Sequence, residues 1–122
     1  MKAPDNTHIL IIDDNEDIVF MLKAMLTLKG YLVDVRTNTD KLEEHLLKKR
    51  PNLILMDMLL SGSDGREICK KLKANKAFSD IPIIMISAHP TAKHDCLKAG
   101  SDFFLAKPFD MKNLFEKVHE AL

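Results

Sequence analysis

Three carboxylates, a hydroxyl and an ammonium group occupy equivalent places along the chain. Asp13 and Asp14 follow the apolar run ILII (9–12), Asp57 closes NLILMD (52–57), Ser87 closes IPIIMIS (81–87), and Lys107 follows FFLA (103–106). Carboxylates brought together repel, and each raises the pKa of the others. A hard divalent cation relieves that repulsion. Mg²⁺ is the natural one, because it uses one or two carboxylates together with waters and phosphate oxygens. The lysine adds a compact positive charge and the serine a hydroxyl donor. Together these groups meet the needs of phosphoryl transfer, in which cations neutralise the equatorial oxygens and a hydroxyl donates to one of them. An aspartate is itself an acceptable nucleophile and would give an aspartyl-phosphate.

These side chains cooperate only if the ends of four separate apolar runs meet. The run at 9–12 is short and continuous. After it, Ile18, Val19, Leu22, Met25 and Leu26 recur at helical spacing, and Gly30 supplies a stop. YLVDV (31–35) alternates as a strand does, and Leu42, Leu46 and Leu47 mark a second helical stripe closed by Pro51. After NLILMD, Gly62 and Gly65 bracket a turn, and Ile68 with Leu72 marks a third helix. After IPIIMIS, a short helix near 91–99 stops at Gly100; FFLA is the last strand, and Leu114, Val118, Ala121 and Leu122 line the last helix. The pattern is a strand followed by a helix, repeated five times. Unbroken aliphatic strands between helices predict a parallel sheet buried on both faces, with right-handed crossovers. In such sheets a ligand sits beyond the carboxyl ends of the strands. All five polar residues lie on that rim, whereas the second strand ends at Val35 and Arg36 and is expected to lie outside the site.

A chain of 122 residues is one ordinary domain, here 1–122 with its core at about 8–120. Apolar residues make up 46%, enough for one hydrophobic core at this length. Lys+Arg and Asp+Glu each number 18, and zero formal net charge argues against a general nucleic-acid binder. Cys69 and Cys96 lack CxxC spacing and read as reduced thiols. The opening MKAPDNT is short and polar, unlike a secretory leader, and no apolar run approaches the ~18 residues of a membrane span. The expectation is a cytoplasmic domain that touches neither membrane nor nucleic acid directly.

The segments LIIDDN, LILMDMLLSGSDG, IIMISA and GSDFFLAKPF resemble, in order and in register over roughly 8–120, the receiver domains of two-component response regulators. The resemblance implies a flavodoxin-like, doubly wound α/β fold with five parallel strands in the order 2-1-3-4-5. It implies that Asp57 accepts a phosphoryl group from a phosphohistidine on a sensor histidine kinase or phosphotransfer protein. Mg²⁺ would be held by Asp13, Asp14, Asp57 and the backbone carbonyl of Leu59, directly by Asp14 and partly through water by Asp13. Lys107 would contact the phosphoryl group, and the Lys107–Pro108 bond is expected to be cis. Ser87 stands at the family's hydroxyl position and Phe104 at its aromatic switch position. Their movement would remodel the face formed by the fourth helix, fifth strand and fifth helix, biasing a two-state equilibrium that controls a downstream protein or output domain. The implied function is a phosphoryl-accepting signalling switch that catalyses its own phosphotransfer and dephosphorylation, not a turnover enzyme.

Rival readings fit less well. An enzyme with an aspartate nucleophile needs an acid/base carboxylate two residues further on, where Leu59 stands. A nucleotide or flavin binder on this fold lacks GxxxxGK and GxGxxG, and the loop after the first strand is acidic. A degenerate receiver that only binds proteins has no reason to keep all five site residues. Asp14 can also serve as a helix N-cap with Asp17 in the first turn, leaving Asn15 and Glu16 facing the loop. The histidines at 8, 45, 89, 94 and 119 show no metal spacing, His89 reads as a solvated rim residue, and the methionines read as core filler.

Two features depart from the family pattern. Ser61 stands where the family usually has proline, so that loop is expected to be less rigid. Only twelve residues separate Ser87 from Gly100, with Pro90 near their start, so the fourth helix is expected to be short. A short fourth helix argues against the family's symmetric dimer on that face and for a monomer or weak dimer. Length favours a stand-alone receiver or phosphorelay protein.

Overall fold

The strand His8–Ile12 (β1) is buried along its whole length, and this sets the architecture. Its run of four aliphatic residues, Ile9 to Ile12, leaves neither face fit for water, so helices must cover both. In a computed structural model, which describes residues 7–60, 62–89 and 91–122, they do. The chain continues through α1 (Glu16–Leu28), β2 (Leu32–Arg36), α2 (Leu42–Lys48), β3 (Leu53–Asp57), β4 (Leu59–Leu60), β5 (Ser63–Asp64), α3 (Gly65–Ala74), β6 (Ile83–Ser87), α4 (Ala92–Lys98), β7 (Phe103–Ala106) and α5 (Met111–Ala121). The five-stranded sheet is parallel, in the order β2-β1-β3-β6-β7. Numbered by sheet strands alone, that is the expected 2-1-3-4-5. β4 and β5 stand apart as a two-stranded antiparallel ribbon that no periodicity foretold.

Strand alternation sorts the core into two halves. Leu10, Ile12, Ile54, Met56, Ile83 and Met85 project to one face, where Leu42 and Leu46 of α2, Cys69 and Leu72 of α3, and Ala92 and Cys96 of α4 meet them. Ile9, Ile11, Leu53, Leu55, Ile84 and Ile86 project to the other, against Leu22 and Leu26 of α1 and Leu114 and Val118 of α5. Each fully buried aliphatic side chain contributes about 1.5–3 kcal/mol relative to exposure, so these two layers dominate stability. Both thiols are core residues, and burial pushes the Cys69 thiol up to about 11.

Local signals shift several boundaries. Leu47 does not join the α2 stripe; it is 70% exposed while Leu46 is buried, because consecutive helical residues point about a quarter-turn apart. Leu122 lies beyond the last turn of α5 and is exposed. The methionines divide: Met56, Met58 and Met85 are buried, whereas Met111 is exposed. His8 is buried at the start of β1, where its Nε2 lies 2.6 Å from Asp34 Oδ2, and Lys49 Nζ reaches the same oxygen at 2.9 Å. At the opposite end of the sheet from the polar rim, Lys73 Nζ donates to the carbonyls of Ser79 and Ile81 and to Asp102, tying α3 to the strands beside it. Ser61 and Pro90, on which the two expected departures turn, lie outside the described residues; α4 is nonetheless short, at seven residues.

Gly65 governs the packing behind β3. A Cβ there would sit 2.5 Å from the Asp57 carbonyl oxygen and 3.0 Å from that of Met58. Both are backbone atoms and cannot swing aside. The close approach lets the Gly65 amide donate to the Met58 carbonyl at 2.7 Å. Gly65→Ala should therefore lower stability by about 1–3 kcal/mol through overpacking. Urea unfolding should show a lower midpoint at an unchanged slope.

Candidate functional site

The carboxyl ends of β1, β3, β6 and β7 form one rim, since the register pairs Ile12 with Met56, Asp57 with Ile86 and Ser87 with Ala106. Side chains at or just past those ends share one pocket. Asp13 follows β1 and is almost wholly buried, at 1% exposure. Its amide donates to the Arg36 carbonyl at 3.1 Å, which extends the ladder with β2 by one step. Its Oδ1 accepts from the Asn15 amide at 2.9 Å, a local turn that fixes the carboxylate. Asp57 ends β3 and is half-buried; the Met58 amide after it donates to the Ile86 carbonyl at 2.9 Å. The Lys107 amide donates to the Ser87 carbonyl at 2.9 Å, and the following peptide bond to Pro108 is cis, as expected.

Asp13, Asp14 and Asp57 each present a carboxylate oxygen, and these oxygens lie within 4.8 Å of one another. Lys107 Nζ stands 3.6 Å from Asp57 Oδ1 and 3.8 Å from Asp13 Oδ2. Those separations give Coulombic attraction without a close hydrogen bond to either oxygen. Asp13 Oδ2 is buried with no hydrogen-bond partner. Burial pushes the Asp13 carboxyl above its ordinary range, opposed by the Asn15 amide and Lys107 and reinforced by Asp14. Burial also raises Asp57, helped by the charge of Asp13 and opposed by Lys107 and the Leu59 amide. An orphaned anionic oxygen beside two further carboxylates is a donor set made of hard oxygen, which suits Mg²⁺.

The remaining expected residues surround this centre. Ser87 is buried, and its Oγ accepts from the His89 amide at 3.0 Å, so its own proton remains available for donation. Leu59, two residues beyond Asp57, begins the ribbon and pairs with Asp64. Phe104 is partly buried against the α2–α4 half of the core. It also lines a groove of about 510 Å³ with Ala88, His89, Lys93, Pro108 and Lys117, among others. His89 is exposed at the rim, its Nδ1 2.9 Å from Thr91 Oγ1.

The cap of α1 is a correction. Asn15, not Asp14, is the N-cap: its side chain accepts from the Ile18 amide at 3.0 Å, and Glu16 is already helical. Gly65 and Arg66 were not foreseen as neighbours of the site. The signal for Gly65 was its place directly before a helical stripe, which reads equally well as an ordinary turn.

The family description "response regulator receiver domain" matches residues 9–119. The phosphate regulon transcriptional regulatory protein PhoB of Pseudomonas aeruginosa is 34% identical over 116 residues, covering 93% of this chain and 51% of PhoB. The chain spans about half the length of the curated relatives it matches. A response regulator structure from Chloroflexus aurantiacus superposes with a TM-score of 0.90 at 28% identity, covering 96% of this chain and 98% of that one. The receiver domain of the sensor histidine kinase PA1611 from Pseudomonas aeruginosa, solved with magnesium coordinated in its active site cleft, gives a TM-score of 0.85 at 28% identity over 94% of this chain and 96% of that one. With its fold, its rim of acids and lysine, and a family match over nearly its whole length, the chain belongs to the response regulator receiver domain family.

Proposed function

We propose that Asp57 is the phosphoacceptor of this receiver domain and that Asp13, Asp14, Asp57 and the Leu59 carbonyl hold Mg²⁺. The observation that carries the reading is the meeting of three carboxylates within 4.8 Å beside one lysine. Bound there, Mg²⁺ would supply the positive charge that lets anionic groups meet. An Asp57 oxygen forms the new bond to phosphorus as the bond from phosphorus to the donor's imidazole nitrogen breaks, and the nitrogen keeps the electron pair. Lys107 attracts the transferred oxygens, and the Ser87 hydroxyl donates to one of them. Ser87 and Phe104 then bias the face built from α4, β7 and α5, which acts on a downstream protein or output domain. The donor is a sensor histidine kinase or phosphotransfer protein, and the setting is cytoplasmic. Domain 1–122 acts as one unit, with no direct contact to nucleic acid or membrane.

Incubation with Mg²⁺ and acetyl phosphate should add one phosphoryl mass to the intact protein. Asp57→Asn should abolish the adduct, and Asp13→Ala or Asp14→Ala should abolish it while leaving the fold intact by circular dichroism. A wild-type protein that takes no phosphoryl group from any donor would favour a binding-only receiver instead.

Proton linkage gives a second test. Asp13 and Asp57 have raised carboxyl pKa values in the folded state. In the metal-free protein their protonated forms therefore favour folding. That contribution is fully present below the ordinary carboxylate pKa and is lost as pH rises through the raised values. Mg²⁺ competes with those protons. The rise in Tm on adding Mg²⁺ should be larger at pH 8 than at pH 5, and Asp13→Asn should shrink the difference. Equal shifts at both pH values would contradict metal binding by these groups.

The brevity of α4 also bears on assembly. The domain is proposed not to form a symmetric dimer through the α4–β7–α5 face. Sedimentation with Mg²⁺ and beryllofluoride should show a monomer or weak dimer. A concentration-dependent dimer blocked by substitutions in α4 and α5 would contradict this.

A further inference from the structure

The loop after Asp57 has a second route to α4, one that passes through neither Ser87 nor Phe104. Leu59 opens the ribbon two residues beyond Asp57, and its amide acts to lower the Asp57 carboxyl pKa. Leu59 pairs with Asp64 across the β4–β5 ribbon, so the two ends of the ribbon move together. Gly62 makes its turn at a positive φ of 76°. The Asp64 side chain caps α3 by accepting from the Arg66 amide at 2.9 Å. It also grips the Arg66 guanidinium on two atoms, with Nε 3.0 Å from Oδ1 and Nη2 2.7 Å from Oδ2. A forked contact of this kind fixes the plane of the guanidinium and leaves Nη1 as its free arm. That arm lies 3.5 Å from Asp95 Oδ2 in the first turn of α4.

The start of α4 is held locally by His89, whose carbonyl accepts from the Ala92 amide at 3.2 Å and whose Nδ1 accepts from the Thr91 amide at 3.3 Å, and the Asp95 contact adds a tie to α3. The helix is seven residues long, and Thr91 at its N-cap makes no side-chain capping bond. Buried contacts come from Ala92 and Cys96. The Asp95 contact is a weak polar tether that links this short helix to α3 across the surface.

We propose that Arg66 is a positioning residue that ties the ribbon beside Asp57 to α4, so that a group placed on Asp57 is felt at α4 through Leu59, Asp64, Arg66 and Asp95. The regulatory part rests on the phosphoacceptor reading above; the tie itself does not. The contact is half exposed on the Asp95 side, and exposed ion pairs bias an equilibrium by about two- to fivefold. This is the size expected of a bias between two positions and too small for a lock.

Asp95→Asn removes the α4 end while leaving the Asp64–Arg66 fork intact. Hydrogen exchange over 92–98 should be measured in the resting protein and with Mg²⁺ plus beryllofluoride. Resting exchange should rise about two- to fivefold in the variant. The change produced by beryllofluoride should shrink relative to wild type, and Asp95→Glu should restore both values. Acetyl phosphate should still label Asp57 to the wild-type extent. Unchanged resting exchange would overturn the tie. Exchange raised by the same factor in both states would overturn the coupling and leave Asp95 a simple structural contact. If wild type itself takes no phosphoryl group and ignores beryllofluoride, the phosphoacceptor reading fails, and the resting comparison still decides whether the tie exists.

Discussion

The structure turns on a repulsion that its own packing enforces. Asp13 and Asp57 are carried to one point by two adjacent strands, β1 and β3, whose aliphatic residues are buried almost without exception. The strands cannot slip to separate the charges, because a one-residue shift would turn every side chain to the wrong face. Nor can the acids reach water easily, since Asp13 is 1% exposed. The attraction of Lys107 offsets part of the cost from 3.6–3.8 Å but leaves Asp13 Oδ2 without a hydrogen bond. Hydrophobic burial of two core layers outweighs the electrostatic cost, and that surplus is what allows a strained, charged rim to persist.

Much of this was legible in the chain because parallel sheets write themselves plainly. Runs such as ILII and IIMIS have no polar face, so they belong between two helical layers, and the residue that ends each run must lie on the rim. The order of the strands came from family resemblance, because periodicity says which segments are strands but not which are neighbours. The β4–β5 ribbon stayed hidden because two strands of two residues each are too short to show alternation. The cap of α1 was ambiguous because Asp14 and Asn15 are both good caps. Backbone geometry decided it, with Asn15 extended and its side-chain Oδ1 accepting from the Ile18 amide. Leu47 misled because a seven-residue helix leaves too few turns to separate a buried stripe from its neighbour.

Gly65 and Arg66 illustrate a different limit. A glycine before a helix is common, and nothing in the string of letters tells that its missing Cβ leaves room for the Asp57 carbonyl oxygen, which would stand only 2.5 Å away. An arginine after it reads as an ordinary solvated charge. Its meaning depends on α4 ending up beside α3, a contact between segments almost thirty positions apart. Long-range pairs of this kind cannot be read from local spacing.

The roles proposed for the three acids have a geometric counterpart. Asp13 is buried, anchored by the Asn15 amide and directed inward. Asp57 stands at the last position of β3, where the chain leaves the sheet for the β4–β5 ribbon that Leu59 opens. Asp57 thus adjoins two elements, the strand ends that carry Ser87 and Lys107 and the ribbon that ends in Asp64, and the proposed modification there would bear on both. Both lead toward α4, one along β6 and the loop after Ser87, the other across Arg66. A helix of seven residues whose N-cap Thr91 makes no side-chain capping bond has little stability of its own, so its position depends on tertiary contacts, the burial of Ala92 and Cys96 and the tie to Arg66 among them. Weak intrinsic anchoring of that helix is the physical condition the proposed coupling requires.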